Sequence, residues 1–108
     1  MKDDKMYLEH ILSALHQIAE YVHNVDERTF LKNKMMQDAV IREFEVIGEA
    51  SKRVSAETKN TYSEIPWKYM AGMRDKLIHD YIDVDLWIVF RTSKEDVPNL
   101  IHQVKEIV

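Results

Sequence analysis

Glycine occurs twice and proline twice in a chain of 108 residues. Tight turns draw on these two residues more than on most others, because glycine accepts positive φ and proline pre-sets a turn. A chain so poor in both can make few turns. It is expected to put its length into a handful of long helices and not into many short strands.

The spacing of apolar residues agrees. Leu8, Ile11, Leu12, Leu15, Ile18, Ala19 and Val22 recur at the i, i+3, i+4, i+7 intervals of one buried helical face, which predicts a first helix over residues 4 to 24. Asn24-Val25-Asp26 breaks that pattern, and Asp26 is placed to cap a short helical turn through Thr29, Phe30 and Leu31. A second long helix is predicted over residues 34 to 56. Met36, Val40, Phe44, Ile47 and Val54 form its buried stripe, Ala39 and Ala50 allow close approach, and Arg42, Glu45, Glu49, Lys52 and Arg53 form its polar face. Glu49 and Arg53 stand in the favourable order for an i, i+4 pair. Thr58 to Glu64 reads as a polar connection. Pro66 fits the first turn of a third helix, which carries Met70, Met73, Leu77 and Ile78 inward and frays near Asp80 to Asp83. Asp83 or Asp85 caps a fourth helix that begins Leu86-Trp87-Ile88-Val89-Phe90, a run that reads as buried. Pro98 is expected to kink or restart it. No segment alternates like a strand over a useful length. The expected fold is one all-α domain over residues 1 to 108, an up-and-down bundle of four to five helices.

Composition narrows the function. Apolar residues make up 45% and charged residues 31%, an ordinary soluble balance, and there is no cysteine, which excludes disulfides and thiolate metal sites. The start MKDDKMYLEH has no signal-peptide pattern, and no apolar run approaches membrane-spanning length, so a cytoplasmic protein with no membrane partner is expected. The net charge of −4 argues against holding nucleic acid by bulk charge; contact with RNA needs a local patch or a dimer groove, or is only transient. His10, His16 and His23 lie six and seven apart, not the i, i+4 spacing that puts two metal ligands on adjacent turns, and His102 has no evident ligand partner. Acidic pairs such as Asp3-Asp4 and Asp83-Asp85 read as helix capping. There is no Gly-x-Ser-x-Gly turn, no Cys nucleophile and no glycine-rich phosphate loop. Of the six methionines, Met35, Met36, Met70 and Met73 interleave with core positions and read as core filling.

What remains is Arg74-Asp75-Lys76-Leu77-Ile78-His79-Asp80-Tyr81. With Lys68 it forms a locally basic strip in an acidic chain. An arginine fork can grip phosphate oxygens, a histidine can move protons near neutral pH, and a tyrosine offers a hydroxyl, so the set suits phosphate-ester chemistry. On one helix, residues five apart diverge by about 140° and about 7.5 Å of rise. Arg74 and His79 therefore meet only if the arginine bends round or if a second copy supplies the same helix across a two-fold axis. Cleaving an RNA strand needs two proton transfers, and one copy holds one imidazole in this stretch; a homodimer holds two.

This stretch resembles the Arg-x4-His-x-Tyr signature of HepT-type proteins, a branch of the HEPN superfamily. Tyr7-Leu8-Glu9-His10-Ile11-Leu12 resembles the opening helix of that family. Gln37 to Arg42 and Ile47 to Arg53 resemble its second helix. Ile65-Pro66-Trp67, Val84-Asp85-Leu86 and Glu95-Asp96-Val97-Pro98 resemble the remainder. The resemblance implies a helical bundle that pairs as a homodimer with the Arg–His motifs in a shared cleft. It implies a metal-independent ribonuclease that attacks the scissile phosphate with the adjacent 2′-hydroxyl, with no cofactor required and with tRNA as one candidate substrate. It also implies a toxin whose antitoxin, an MntA-type nucleotidyltransferase, silences it by moving AMP from ATP to the motif tyrosine. Carried across, Arg74 stabilises phosphate charge, His79 handles protons and Tyr81 accepts AMP. Asp75 is placed to orient the arginine. Asp80 stands where many members have glycine, adding negative charge beside the site and offering Arg74 a partner. The alternative is a HEPN module that binds a nucleotide or docks the nucleotidyltransferase without catalysis.

Overall fold

The computed structural model describes residues 2–77 and 84–108. Every regular element among them is helical: α1 Lys2–Tyr21, α2 Glu27–Lys32, α3 Lys34–Arg53, α4 Ala56–Thr61, α5 Trp67–Ala71, α6 Met73–Leu77 and α7 Leu86–Lys105. The all-α class expected from the scarcity of turn residues is what the chain adopts. The described residues hold three long helices and four short ones, where four to five were expected. The difference has local causes. Ser55 takes extended backbone and its hydroxyl accepts from the Thr58 amide, so α3 ends at Arg53, short of the expected residue 56, and α4 starts at Ala56 and runs into the stretch read as a connection. The expected third helix divides at Gly72 into α5 and α6.

The core forms where α1 packs on α3 and α7. Ile11, Leu15 and Ile18 of α1, Val40, Phe44 and Ile47 of α3, and Val89 and Val97 of α7 are fully buried. Those of α1 and α3 lie on the helical stripes that periodicity marks. Their removal from water is the main drive for assembly, each contributing roughly 1.5–3 kcal/mol before entropy is counted. Phe30 of α2 is also buried and meets Phe90 of α7 at a 5.2 Å ring separation. Gln37 donates a buried hydrogen bond of 2.9 Å to the Phe30 carbonyl, holding the end of α2 against α3.

Capping residues define most helix starts. Asp26 accepts from the Thr29 amide at 2.8 Å, as expected, and Asp85 accepts from the Ile88 amide at 3.1 Å. Asn33 caps α3 by accepting from Met36. Asn24, beyond the end of α1, has φ of 57°, a left-handed conformation that asparagine tolerates better than most side chains.

Four expectations are corrected. Helix α7 runs through Pro98 and does not restart there. Met35 is 83% exposed and is not core filling. It lies one position off the buried stripe of α3, so helical geometry turns it to the surface. Trp87 is 47% exposed, although it sits in an apolar run; from the same first turn, Val89 takes the buried position. Asp4 does not serve as a simple cap on its own helix. It is buried and bonds to the start of α4.

Glycine matters at one crossing. A Cβ on Gly48 of α3 would stand 3.3 Å from the Ala71 carbonyl oxygen at the end of α5. Two backbones pass there at a separation that a larger residue would widen. The α5–α6 pair, which carries Arg74, is seated on α3 by that contact.

Candidate functional site

Arg74 lies in α6, between Met73 and Leu77 on sequence positions whose side chains are buried at 0% and 1% exposure. Those two apolar anchors press α6 into the core and leave Arg74, Asp75 and Lys76 on the outside. Arg74 is about half exposed. Its Nε stands 3.5 Å from Glu45 Oε2 of α3, and its terminal nitrogen 3.4 Å from Asp75 Oδ1. These are long, solvent-screened pairs that contribute little to stability, but they hold the guanidinium close to the surface of the bundle. Asp75, the residue expected to orient the arginine, makes the second of these contacts. Glu45 was seen only as part of the polar face of α3; nothing in helical periodicity says which distant cation such a residue meets.

His79, Asp80 and Tyr81 lie outside the described residues, as do Ile78, Ile82 and Asp83. The structure brings Arg74, Asp75 and Glu45 together, and the relation of Arg74 to His79 and Tyr81 is not part of it.

Lys76 is two positions beyond Arg74, about 200° round the helix, and so serves the other side of α6. Its ammonium lies 4.9 Å from the centre of the Tyr69 ring. The Tyr69 hydroxyl donates to Asp96 Oδ2 of α7 at 2.5 Å. Burial first, then the hydrogen bond and negative charge of Asp96, push the Tyr69 phenol well above its ordinary pKa, so it stays a neutral donor. This bond fastens α5 to α7. Beside it a shallow cleft of about 330 Å³ opens between α6 and α7, with Lys76, Trp87, Arg91, Thr92, Glu95 and Asp96 among its walls. The Arg91 guanidinium lies over the Trp87 ring at 5.0 Å, and its Nε bonds to Glu95 at 3.0 Å.

A polar centre at the far end of α3 went unseen in the sequence. Ser55 donates from its amide to Asp4 Oδ1 at 2.9 Å and from its hydroxyl to Oδ2 at 2.5 Å, and the Thr58 hydroxyl donates to Oδ2 at 2.5 Å. The Ser55 and Thr58 hydroxyl bonds, opposed by burial, hold the Asp4 carboxyl below the usual carboxylate range. With every donor drawn from the α3–α4 junction, this is a structural tie. His10, His16, His23 and His102 are all exposed. Among the described residues, no group of three or more His, Asp or Glu side chains is placed to hold a metal ion, and no helix is long and apolar enough to cross a membrane.

Comparison with known proteins adds to this geometry. The family model described as "HepT-like: Ribonuclease HepT-like" matches residues 11–107. The chain is similar to "Probable ribonuclease HepT" of Thermococcus cleftensis, 46% identical over 92% of this chain and 90% of that protein. It is similar to a protein of Caldanaerobacter subterraneus named "Putative RNase", 42% identical over 99% of this chain and 96% of that one. A protein of Methanocaldococcus jannaschii named "Gamma-glutamylcyclotransferase and putative RNase" is 44% identical over 98% of this chain, which spans 48% of that longer protein. No solved structure matches the chain.

Proposed function

The chain belongs to the ribonuclease HepT-like family, and from that premise we propose that it is a metal-independent RNA endonuclease, the toxin of a toxin–antitoxin pair, with Arg74 and His79 as catalytic residues. The observation that carries this reading is the family match over residues 11–107, which includes the whole Arg74 to Tyr81 stretch. The setting of Arg74 supports it. The guanidinium is about half exposed on a helix anchored by buried Met73 and Leu77, beside carboxylates that a phosphate can displace.

In this reading the 2′-oxygen of RNA attacks the adjacent phosphorus. The new O2′–P bond forms as the P–O5′ bond breaks, leaving a 2′,3′-cyclic phosphate and a 5′-hydroxyl. One proton leaves the 2′-hydroxyl and one reaches the departing 5′-oxygen. His79 serves one transfer, and the His79 of a second copy serves the other, so the active form is a homodimer. Arg74 binds the phosphate oxygens while charge builds on them. Tyr81 is the off-switch. An MntA-type nucleotidyltransferase transfers AMP from ATP to its hydroxyl: the phenol oxygen bonds to the α-phosphorus, the α–β phosphate bond breaks, and pyrophosphate and the phenol proton leave, placing bulk and a negative phosphate beside Arg74 and His79.

The test uses protein purified away from any nucleotidyltransferase and incubated with RNA, including tRNA, in EDTA. Cleavage is expected to persist in EDTA and to fall by roughly 10²–10⁴-fold in His79→Ala, the usual worth of a general acid or base. Equal rates in the variant and the parent overturn the assignment. Co-expression with the nucleotidyltransferase is expected to add the mass of AMP, and Tyr81→Phe to prevent it.

A further inference from the structure

The cleft between α6 and α7 is not accounted for by the roles of Arg74, His79 and Tyr81. Its most unusual resident is Trp87, an indole left 47% exposed in the first turn of α7. Large aromatic side chains are normally covered, and an exposed one beside a cleft is the kind of surface on which a flat ring stacks. Arg91 lies over this indole at 5.0 Å, and its bond to Glu95 holds the guanidinium plane in place. On the α6 side stands Lys76, whose ammonium is kept over Tyr69.

Charge indicates what kind of molecule fits. Lys76 and Arg91 are balanced by Glu95 and Asp96, with Glu95 bonded to Arg91 and Asp96 to Tyr69. A cleft with two charges of each sign is a poor anion hole. It suits a flat, neutral ring with polar edges. The volume of about 330 Å³ lies at the small end of ligand pockets, which run from about 300 to 1,000 Å³. That admits a single base with its sugar and excludes a duplex.

Position indicates why it is there. Arg74 and Lys76 project from opposite sides of one helix, a body about 10–12 Å across with its side chains. An RNA strand gripped by Arg74 and passing over α6 meets the cleft next. We propose that this cleft is a nucleobase subsite for single-stranded RNA, in which the base of a nucleotide neighbouring the scissile phosphate stacks against Trp87 and Arg91 while Lys76 faces its sugar–phosphate. The inference rests on the ribonuclease reading and adds to it the form of the substrate: an unpaired strand longer than the bond to be cut.

The experiment uses the full chain carrying His79→Ala, in EDTA at low salt, titrated with a short single-stranded RNA of mixed sequence labelled at its 5′ end. RNA is expected to quench indole emission. Trp87→Phe should abolish the quench and keep most of the affinity, because Trp67 is buried at 7% exposure and the phenyl ring still stacks. Trp87→Ala should weaken binding roughly 5- to 150-fold, the worth of one stacked base, and raise KM more than it lowers kcat in the His79 parent. If the parent cleaves RNA and Trp87→Ala binds and cleaves equally well, the subsite is overturned and the nuclease stands. If RNA quenches Trp87 and Trp87→Ala weakens binding while no form cleaves, the subsite stands and the nuclease falls. If Trp87→Ala changes the sedimenting mass and leaves RNA affinity unchanged, the cleft is a protein interface and the inference is overturned.

Discussion

At the scale of single residues, the structure separates polar groups that stabilise from those that do not. The Ser51 hydroxyl is fully buried in α3 and has no hydrogen-bond partner among the described residues. A buried unpaired hydroxyl costs about 1–3 kcal/mol. Ser51→Ala removes that cost without opening a sizeable cavity, so urea unfolding should show stability raised by about 1 kcal/mol. Glu45→Gln tests the opposite kind of group. The Arg74–Glu45 pair is long and half exposed on both sides, so the stability change should stay under about 1 kcal/mol. Losing the carboxylate should also strengthen RNA binding at low salt, an effect that fades as salt is added. Arg74, Asp75, His79, Asp80 and Tyr81 were legible as a chemical set because they stand in one short stretch. Glu45 was not, because its meeting with Arg74 depends on how α6 lies on α3.

At the scale of elements, two contacts set where the site sits. Gly48 lets α5 approach α3, and a Cβ there meets the Ala71 carbonyl at 3.3 Å. Gly48→Ala gains helix propensity of up to about 1 kcal/mol and spends it on that contact, so it should be near neutral. Gly48→Leu must push the helices apart and should cost about 1–3 kcal/mol in urea unfolding. It should also reduce RNA cleavage, because α6 moves with α5. The second contact is Asp4 with Ser55, 51 residues apart in the chain. The Asp4 pKa is lowered from 3.8 in the folded protein. Its contribution to stability is therefore complete above 3.8 and is lost as pH falls through the lower folded value. Asp4→Asn should be less stable than the parent at pH 7, and the gap should close as unfolding is followed below pH 3.8. Helix boundaries were the less legible part of the sequence. Gly72 divides α5 from α6, yet a lone glycine within a helical pattern does not announce a break. Ser55 starts α4, yet its capping role shows only once its φ and ψ are known.

At the scale of the whole molecule, charge governs how RNA is met. A net charge of −4 cannot hold a polyanion by bulk attraction. If Arg74, Lys76 and their counterparts in a second copy make two to four phosphate contacts, log K should fall against log salt with a slope between about −1.4 and −2.8. Titrations across a series of salt concentrations measure it, and a much steeper slope points to a basic surface other than α6.

The sequence by itself determined the helical class, the buried stripes of α1 and α3, and the identity of the cluster from Arg74 to Tyr81. All of these depend on periodicity or proximity along one chain. Only the tertiary structure decided that Glu45 faces Arg74, that Asp4 ties α1 to the start of α4, and that Trp87 is left beside a cleft while Val89 is buried. Those outcomes turn on how helices distant in sequence cross and which polar residues their crossing brings within bonding distance. The stretch from Arg74 to Tyr81 joins the two kinds of knowledge: its chemistry was readable in the order of its residues, and the setting of its arginine was decided by α3.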